Sequence, residues 1–331
     1  MSLYGAVCFN IEVKFLKRAE ALQDAEAALH QAGFQVSQRC VSRASCFDFA
    51  ARDEERLVFA KVLRDIREAS RGVAVAIKTI SRCFSGASVF ISDVSNEDSL
   101  RDDTVYSRYG VHVVTLKTFK DAVSRGHFPL VKASRGGYSV GMNGDKIRER
   151  RHELGLSIGK LAAMVGISRR TLYGYERDMT RASVSSAYKL ERILGVPLVG
   201  TIDVFESPSA NPGSSSPPGP DEYGSVRNSL LQSVLSKLIQ FDLEVLPLKR
   251  APFDFTADCQ REEFRIVGGV FKRRERLLKE RVTEVLSLSG IVEARPLLLC
   301  EESITAPQDV ALVNCDQLAK MRDREELTAL L

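Results

Sequence analysis

The sequence predicts a central all-α domain between two α/β segments, and three patterns support this. Through residues 143–200, apolar side chains recur at helical spacing. Each flanking segment has the pattern of a helix, three short strands, a helix, two strands and a helix, which is typical of a mixed sheet covered by helices. Residues 206–224 (ESPSANPGSSSPPGPDEYG) have almost nothing to bury, so they predict a linker.

These patterns divide the chain into five predicted parts. They are an N-terminal α/β domain (1–133), a hinge (134–143), a helical domain (144–203), a Pro/Ser/Gly linker (204–225) and a C-terminal α/β domain (226–331). The linker leaves two arrangements open. The C-terminal domain either moves freely or packs on its N-terminal counterpart as an internal pseudo-dimer.

Composition excludes several classes of protein. The 331 residues are 44% hydrophobic and 27% charged, which is ordinary for a globular protein of two or three domains. The sequence has neither an apolar run of about 18 residues nor a secretory signal, so we expect a cytoplasmic protein without a membrane partner. The 7 cysteines lack a Cys-x-x-Cys pair and the 4 histidines are scattered. We therefore expect core thiols and no metal or other cofactor.

Two short helices and a turn are predicted within Ile158 to Arg177. Ser157 and Ser168 each precede a helix and can cap its free backbone N–H groups. Gly166 lies where the chain must turn, with Ile167 as an anchor in the core. The inward positions of these helices and their neighbours are Ile147, Leu154, Leu161, Ala162, Val165, Leu172, Tyr175, Val184, Ala187, Leu190 and Leu194.

The second of these helices turns a polar face outward. Its outward positions are Arg169, Arg170, Tyr173 and Arg177. Residues 143–200 hold 11 Lys and Arg against 6 Asp and Glu, whereas the whole chain has a net charge of only +4. A basic patch confined to one domain is the pattern expected of a phosphate-binding module. The same patch is compatible with an adaptor that binds RNA or protein, because phosphate attraction is independent of sequence.

The segment LGLSIGKLAAMVGISRRTLYGYE resembles the helix-turn-helix domain of the lambda repressor and Cro type. The resemblance implies that Ser168 to Arg177 enters the major groove of double-stranded DNA, with Arg169 or Arg170 contacting guanine and Thr171 or Tyr173 contacting base edges or phosphate. Phosphate contacts are expected from Arg148, Arg151 and Lys160. The chain departs from the family at Ile158, where a glutamine is frequent.

The flanking segments repeat one another. Phe-Asp-Phe occurs at 47–49 and again at 253–255, and a strand follows about 42 to 44 residues later in each segment. The order of elements resembles the restriction-endonuclease-like fold, whose active site is a Pro-Asp…(Asp/Glu)-x-Lys motif. That chemistry uses two carboxylates to hold Mg²⁺ and a lysine beside the phosphate.

Neither copy carries the complete motif. The first offers Asp48 and Lys61, but Phe59 occupies the place of the second carboxylate. The second offers Asp254, with Ile-Val-Gly-Gly at 266–269 across the place of the lysine and Glu263-Phe264-Arg265 as a poor substitute. We therefore expect no enzyme activity. Instead, Asp48 and Asp254 are expected to turn or cap a strand edge.

The whole layout is similar to an archaeal family of helix-turn-helix transcriptional regulators. The similarity implies a DNA-binding regulator of transcription, and the small size of one such domain implies a homodimer. A non-enzymatic adaptor and a Mg²⁺-dependent nuclease remain as alternatives. The sequence gives neither the operator nor any small-molecule effector.

Overall fold

The computed structural model describes residues 18–96, 98–206, 229–259, 264–272, 275–300 and 312–330. The predicted linker at 204–225 lies almost entirely outside the described residues. The chain divides into two compact units. The first comprises Met1–Ala28, Leu63–Glu68 and Phe90–Val204, and the second comprises Leu29–Val62, Ala69–Val89 and Phe205–Leu331. Within the described residues, no helix is long and apolar enough to cross a membrane.

The second unit contains most of the first Phe-Asp-Phe copy. After a helix over residues 18–31 (α1), the strands run in the order β1-β2-β3-β4, with antiparallel β1–β2 and β2–β3 pairs. The division between the units falls within β4, after Val89. The bounds are β1 Gln35–Val36, β2 Phe49–Arg52, β3 Leu57–Val62, α2 Arg71–Cys83 and β4 Ala87–Ile91.

The second copy follows the same order. Its five-stranded sheet runs β12-β13-β14-β15-β16, with antiparallel pairs up to β14 and parallel pairs after it. The bounds are α8 Ser229–Gln240, β12 Glu244–Pro247, β13 Phe255–Cys259, β14 Phe264–Phe271, α9 Leu278–Ile291, β15 Arg295–Cys300, β16 Leu312–Asn314, α10 Cys315–Lys320 and α11 Arg324–Thr328. The fold class predicted from the sequence is confirmed.

Matching hydrogen bonds support the predicted duplication. The Asp48 N–H donates to Ala60 O at 2.7 Å, and the Asp254 N–H donates to Gly268 O at 2.8 Å. The side chain of Asp48 accepts from Val62 N at 2.8 Å, and that of Asp254 accepts from Val270 N at 2.7 Å. In each copy, the aspartate of Phe-Asp-Phe therefore joins the start of one strand to the end of the next strand in the hairpin.

Within the second unit, the two copies pack against each other. Phe84 meets Phe253 edge to face, with ring centroids 6.4 Å apart. Glu284 on α9 accepts from the N–H groups of Val41 and Ser42, each at 2.8 Å. Of the two arrangements left open by the sequence, the structure adopts the packed one.

Three thiols of the second unit lie in its core. Cys46, Cys259 and Cys300 are buried, whereas Cys40, Cys83 and Cys315 are half-buried. Burial raises the pKa of Cys46 to about 12, so its thiol stays protonated at neutral pH. These residues pack as small apolar side chains, as the sequence predicts.

The first unit joins a sheet to the helical domain. Its strands run β8-β7-β9-β10-β11, with β7 parallel to β9 and the other described pairs antiparallel. A separate pair, β5 with β6, is antiparallel. The bounds are β5 Val94–Ser95, β6 Asp98–Ser99, β7 Thr104–Arg108, β8 Val111–Val114, α3 Leu116–Arg125, β9 Val131–Ser134, β10 Gly137–Val140 and β11 Ala182–Ser183.

One expectation about this region is corrected. Residues 134–143, predicted as a hinge, contain the turn and second strand of the β9–β10 hairpin. The helical domain also contains the two-residue strand β11, whose Ser183 pairs with Ser139 of that hairpin. The glycine-rich SRGG stretch, which indicated a break, forms the hairpin turn, and Gly137 has the φ of 111° that favours glycine.

Four helices form the helical domain around one core. They are α4 Gly144–Glu153, α5 Ile158–Val165, α6 Arg169–Tyr175 and α7 Val184–Leu194. The inward positions confirmed as buried are Ile147, Leu161, Ala162, Val165, Leu172, Tyr175, Ala187, Leu190 and Leu194. Two were wrong, because Leu154 at the end of α4 is 42% exposed and Val184 at the start of α7 is 46% exposed. Both lie at helix ends, beyond the packed stripe.

Candidate nucleic-acid interface

Helices α5 and α6 are capped as their sequence predicts. The Ser157 hydroxyl accepts from Lys160 N at 3.1 Å, and the Ser168 hydroxyl accepts from Thr171 N at 3.0 Å. Between them, Gly166 adopts the left-handed conformation with φ of 82° and ends α5. Ile167 packs against the core from this turn. The turn therefore has a fixed geometry, and it sets the angle between the two helices.

The outward face of α6 is exposed and cationic. Arg169, Arg170 and Arg177 are exposed. Residues 169–175 include no acidic residue, and Glu176 is buried. A groove beside this face is lined by Ser157, Ile158, Gly159, Arg169, Arg170 and Tyr173. The groove runs from the first turn of α5 to the middle of α6.

The two arginines at the start of α6 have different surroundings. Arg169 lies over the first turn of α5, since a Cβ placed on Gly159 would stand 2.8 Å from its Nε. Arg170 is exposed and lines the same groove. Of the two candidates for a guanine contact, Arg169 is therefore the one whose guanidinium is closest to Gly159 of α5.

Three further residues predicted to contact DNA already interact with neighbouring side chains in or just after α6. The Arg177 guanidinium lies over the Tyr173 ring, 4.6 Å from its centroid, while Tyr173 remains 43% exposed. Such cation–π packing limits the rotamers that both side chains sample. The Thr171 hydroxyl is 2.8 Å from the Ser168 hydroxyl, and Thr171 is half-buried. A base contact from Thr171 would therefore have to share its hydroxyl with the helix cap.

The three residues predicted to contact phosphates have different surroundings. Lys160 is exposed on α5. Arg148 is also exposed, although its Nη2 is 2.6 Å from Asp145 in the first turn of the same helix. An exposed ion pair of this kind contributes little to stability, so Arg148 can exchange Asp145 for another partner at a small cost in free energy. Arg151 is different, because it is buried.

The expected phosphate role of Arg151 is corrected by its position. Its Nε and Nη2 donate to Glu176 at 2.6 and 3.0 Å, and its Nη1 donates to Leu156 O at 3.0 Å. Both side chains of the ion pair are about 5% exposed. The ion pair joins α4 to the residue that ends α6. In the arginine-rich sequence of α4, charge alone does not show which arginine faces inward.

A close backbone contact accompanies this ion pair. A Cβ on Gly144 would lie 2.6 Å from Tyr175 O, so only glycine allows α4 to start this close to the end of α6. The Gly144 N–H donates to Asp178 Oδ1 at 3.0 Å. The orientation of α6 is therefore fixed from both ends of α4.

The nuclease-like residues of the first copy come together in the second unit. Lys61 Nζ donates to Ser45 O at 2.8 Å and lies 3.5 Å from Asp48 Oδ1. Phe59 is fully buried and packs edge to face on Phe47, with centroids 5.3 Å apart. Its ring fills the core where the motif would need the second carboxylate. Among the described residues, no cluster of His, Cys, Asp or Glu could hold a metal ion.

The second copy holds a buried arginine beside its aspartate. Arg281 on α9 is fully buried and donates to Asp254 at 2.5 Å, to Glu275 at 2.8 Å and to Pro252 O at 2.7 Å. Arg43 of the first copy donates to the other oxygen of Asp254 at 2.7 Å. Gly269 occupies the position equivalent to Lys61, as the register of β13 with β14 shows. Both oxygens of Asp254 are therefore paired with guanidinium groups.

A four-helix domain with an exposed cationic α6, attached to nuclease-like α/β segments, defines a helix-turn-helix protein. Residues 147–200 match the helix-turn-helix family, and residues 18–129 match the PD-(D/E)XK superfamily domain. Relatives named "Putative HTH-type transcriptional regulatory protein" occur in Pyrococcus furiosus, 30% identical over 92% of this chain and 95% of theirs. Another occurs in Methanocaldococcus jannaschii, 32% identical over 86% of this chain and 87% of its own.

The chain therefore belongs to this family of archaeal HTH-type regulatory proteins. Two solved structures are similar to the central part alone. The restriction-modification controller protein C.AhdI from Aeromonas hydrophila is 34% identical over 16% of this chain and 80% of its own, with a TM-score of 0.16. The SinR/SinI complex is 32% identical over 17% of this chain and 54% of its own, also with a TM-score of 0.16.

Breaking the Arg151–Glu176 pair should loosen the helical domain. We expect Arg151→Met to lower the local free energy of unfolding by about 3–5 kcal/mol, because it leaves the buried Glu176 carboxylate without its partner. Amide hydrogen exchange across α4–α7 measures this change separately from the rest of the chain. The matched control, Arg148→Met, removes an exposed pair and should cost less than about 1 kcal/mol. Equal protection in both variants would contradict the structural role of Arg151.

Proposed function

We propose that this protein is a sequence-specific, double-stranded DNA-binding regulator of transcription, in which α6 reads the major groove. The observation that carries the proposal is the cationic face of α6, which is exposed while the opposite face is fixed by Leu172, Tyr175 and the Arg151–Glu176 pair. A rigid helix with a free polar face is the form that enters a major groove. The family membership of the chain supports the same function.

The roles within this interface follow from the surroundings of each side chain. Arg170 makes the bidentate contact to guanine, and Arg169 reaches bases or phosphate from above Gly159. Tyr173 and Arg177 contact base edges or backbone as one packed pair. Lys160 and Arg148 contact phosphates and position the domain without reading sequence. Ser168 and Thr171 hold the helix start towards the DNA.

Selection of random duplex DNA by the full-length protein, followed by sequencing, tests base reading. At about 0.15 M salt, non-specific attraction is partly screened. We expect an enriched site whose preference at one guanine falls by about 1–3 kcal/mol in Arg170→Ala. The control Arg192→Ala removes the same charge from an exposed position on α7 and should keep the preference. Weak binding without any enriched site would favour the adaptor function instead.

Dimerisation is part of the proposal, because one such domain buries too little surface for useful affinity. Two copies would place their α6 helices about 34–36 Å apart on successive turns of DNA. The selected site should therefore be an inverted repeat, and light scattering should give a dimer mass at micromolar concentration. A monomer mass both free and on DNA would rule out this arrangement.

We further propose that the PD-(D/E)XK-like segments bind or assemble and do not cut DNA. In the first copy, Phe59 stands where the second carboxylate would lie, and Lys61 is held by Ser45 O. In the second copy, Arg43 and Arg281 occupy both oxygens of Asp254. Neither arrangement leaves the pair of carboxylates that Mg²⁺-dependent cleavage uses.

This second proposal predicts stable DNA in the presence of metal. Supercoiled and linear DNA incubated with full-length protein and Mg²⁺ or Mn²⁺ should show no cleavage above that seen with Asp48→Ala. Gel analysis over several hours measures this. Metal-dependent cutting that both Asp48→Ala and Lys61→Ala abolish would establish a nuclease.

A further inference from the structure

The β9–β10 hairpin projects beside the loop that follows α6. Strand β10 pairs with β11 through Ser139 with Ser183 and Val140 with Ala182. Strand β11 lies directly between that loop and α7. From Ser139, three residues lead to the turn at Gly136, which therefore extends about 10 Å beyond Ser183 at about 3.3 Å per residue.

This hairpin is held in place by its neighbours. Strand β9 pairs with β10 on one side and with β7 on the other. On the hairpin, Tyr138 lies near Tyr106 of β7 and under the guanidinium of Arg101, which is 5.1 Å from the ring centroid. The hairpin therefore projects as a rigid element of the sheet.

The tip of the hairpin is basic and unobstructed. Residues 131–142 include Lys132 and Arg135 and no acidic residue. Arg135 occupies the corner of a two-residue turn, is exposed and forms no hydrogen bond or ion pair within the described part of the chain. A Cβ on Gly136 or Gly137 would meet no described atom within 4 Å, so a partner can approach the turn closely.

A second arginine joins the loop after α6 to the base of the hairpin. Arg181 ends this loop and is exposed, and its guanidinium lies along β10, with Nε 3.3 Å from the Ser139 hydroxyl. Asp178 of the same loop points elsewhere, because its carboxylate accepts from Gly144 N. Arg177, just after α6, and Arg181, just before β11, therefore carry positive charge on the segment that joins α6 to the strand paired with the hairpin.

We propose that the β9–β10 hairpin is a second DNA-contacting element, in which Arg135, supported by Arg181, binds the phosphate backbone beside the site read by α6. The inference rests on the proposed function. The turn offers a guanidinium and glycine backbone, and the one aromatic side chain near it, Tyr138, is packed against Arg101, so the tip suits a phosphate. Its contact adds affinity and register without adding sequence preference.

The test compares full-length protein with Arg135→Ala on the selected duplex and on a scrambled duplex, at several salt concentrations. We expect affinity to fall about threefold to tenfold on both duplexes, and the slope of log K against log salt to decrease by about 1. Arg192→Ala is the matched control for loss of one exposed charge in the same unit. Because Arg135 lies on an exposed turn, circular dichroism should show an unchanged fold.

The possible outcomes separate the inference from the function on which it rests. If Arg135→Ala leaves affinity and salt slope unchanged while Arg170→Ala alters base preference, the hairpin inference is overturned and the proposed function stands. A change of base preference in Arg135→Ala would overturn the backbone role. If the unsubstituted protein binds neither duplex, both proposals fail together.

Discussion

The buried pair of Arg151 and Glu176 is the interaction on which the DNA-facing surface depends. Arg151 lies in α4 and Glu176 ends α6, so the pair fixes the helix that would read DNA against one that would not. Removing two charges from water is costly, and only the bidentate geometry and the extra bond to Leu156 O offset that cost. With α6 held from its inner side, its outward arginines remain exposed.

The sheet of the first unit extends this rigidity beyond the helices. Strand β11 has only two residues, yet it joins the loop after α6 to the β9–β10 hairpin and, through β9, to β7. Backbone pairing of this kind resists bending more than a flexible linker does. The helical domain and the hairpin are therefore joined by backbone pairing within the unit.

In the second unit, nuclease-like elements carry motif positions whose residues differ from the Pro-Asp…(Asp/Glu)-x-Lys pattern. Asp48 and Asp254 both accept a backbone N–H from the neighbouring strand, so each retains a structural use that does not require a metal. The cation beside each aspartate comes from a different element, a strand lysine in the first copy and the α9 residue Arg281 in the second. Burial lowers the pKa of Arg281, whereas the nearby Asp254 and Glu275 favour its charged form. The fold thus keeps a buried charge pair in both places.

Local spacing and capping chemistry were enough to predict the helix-turn-helix, its serine caps, the turn at Gly166 and the order of elements in the C-terminal segment. In the N-terminal segment they missed strands β5 to β7, which lie between β4 and β8. Tertiary structure decided which arginines are available. Arg148 and Arg151 are three residues apart in one helix, yet one is exposed and the other buried, because Glu176 lies 25 positions further along the chain and no local pattern marks it as a partner. The hairpin at 131–140 was likewise invisible locally, since β9 gains its place by pairing with β7 and β10 by pairing with β11, which follows the whole of α4–α6 in the sequence.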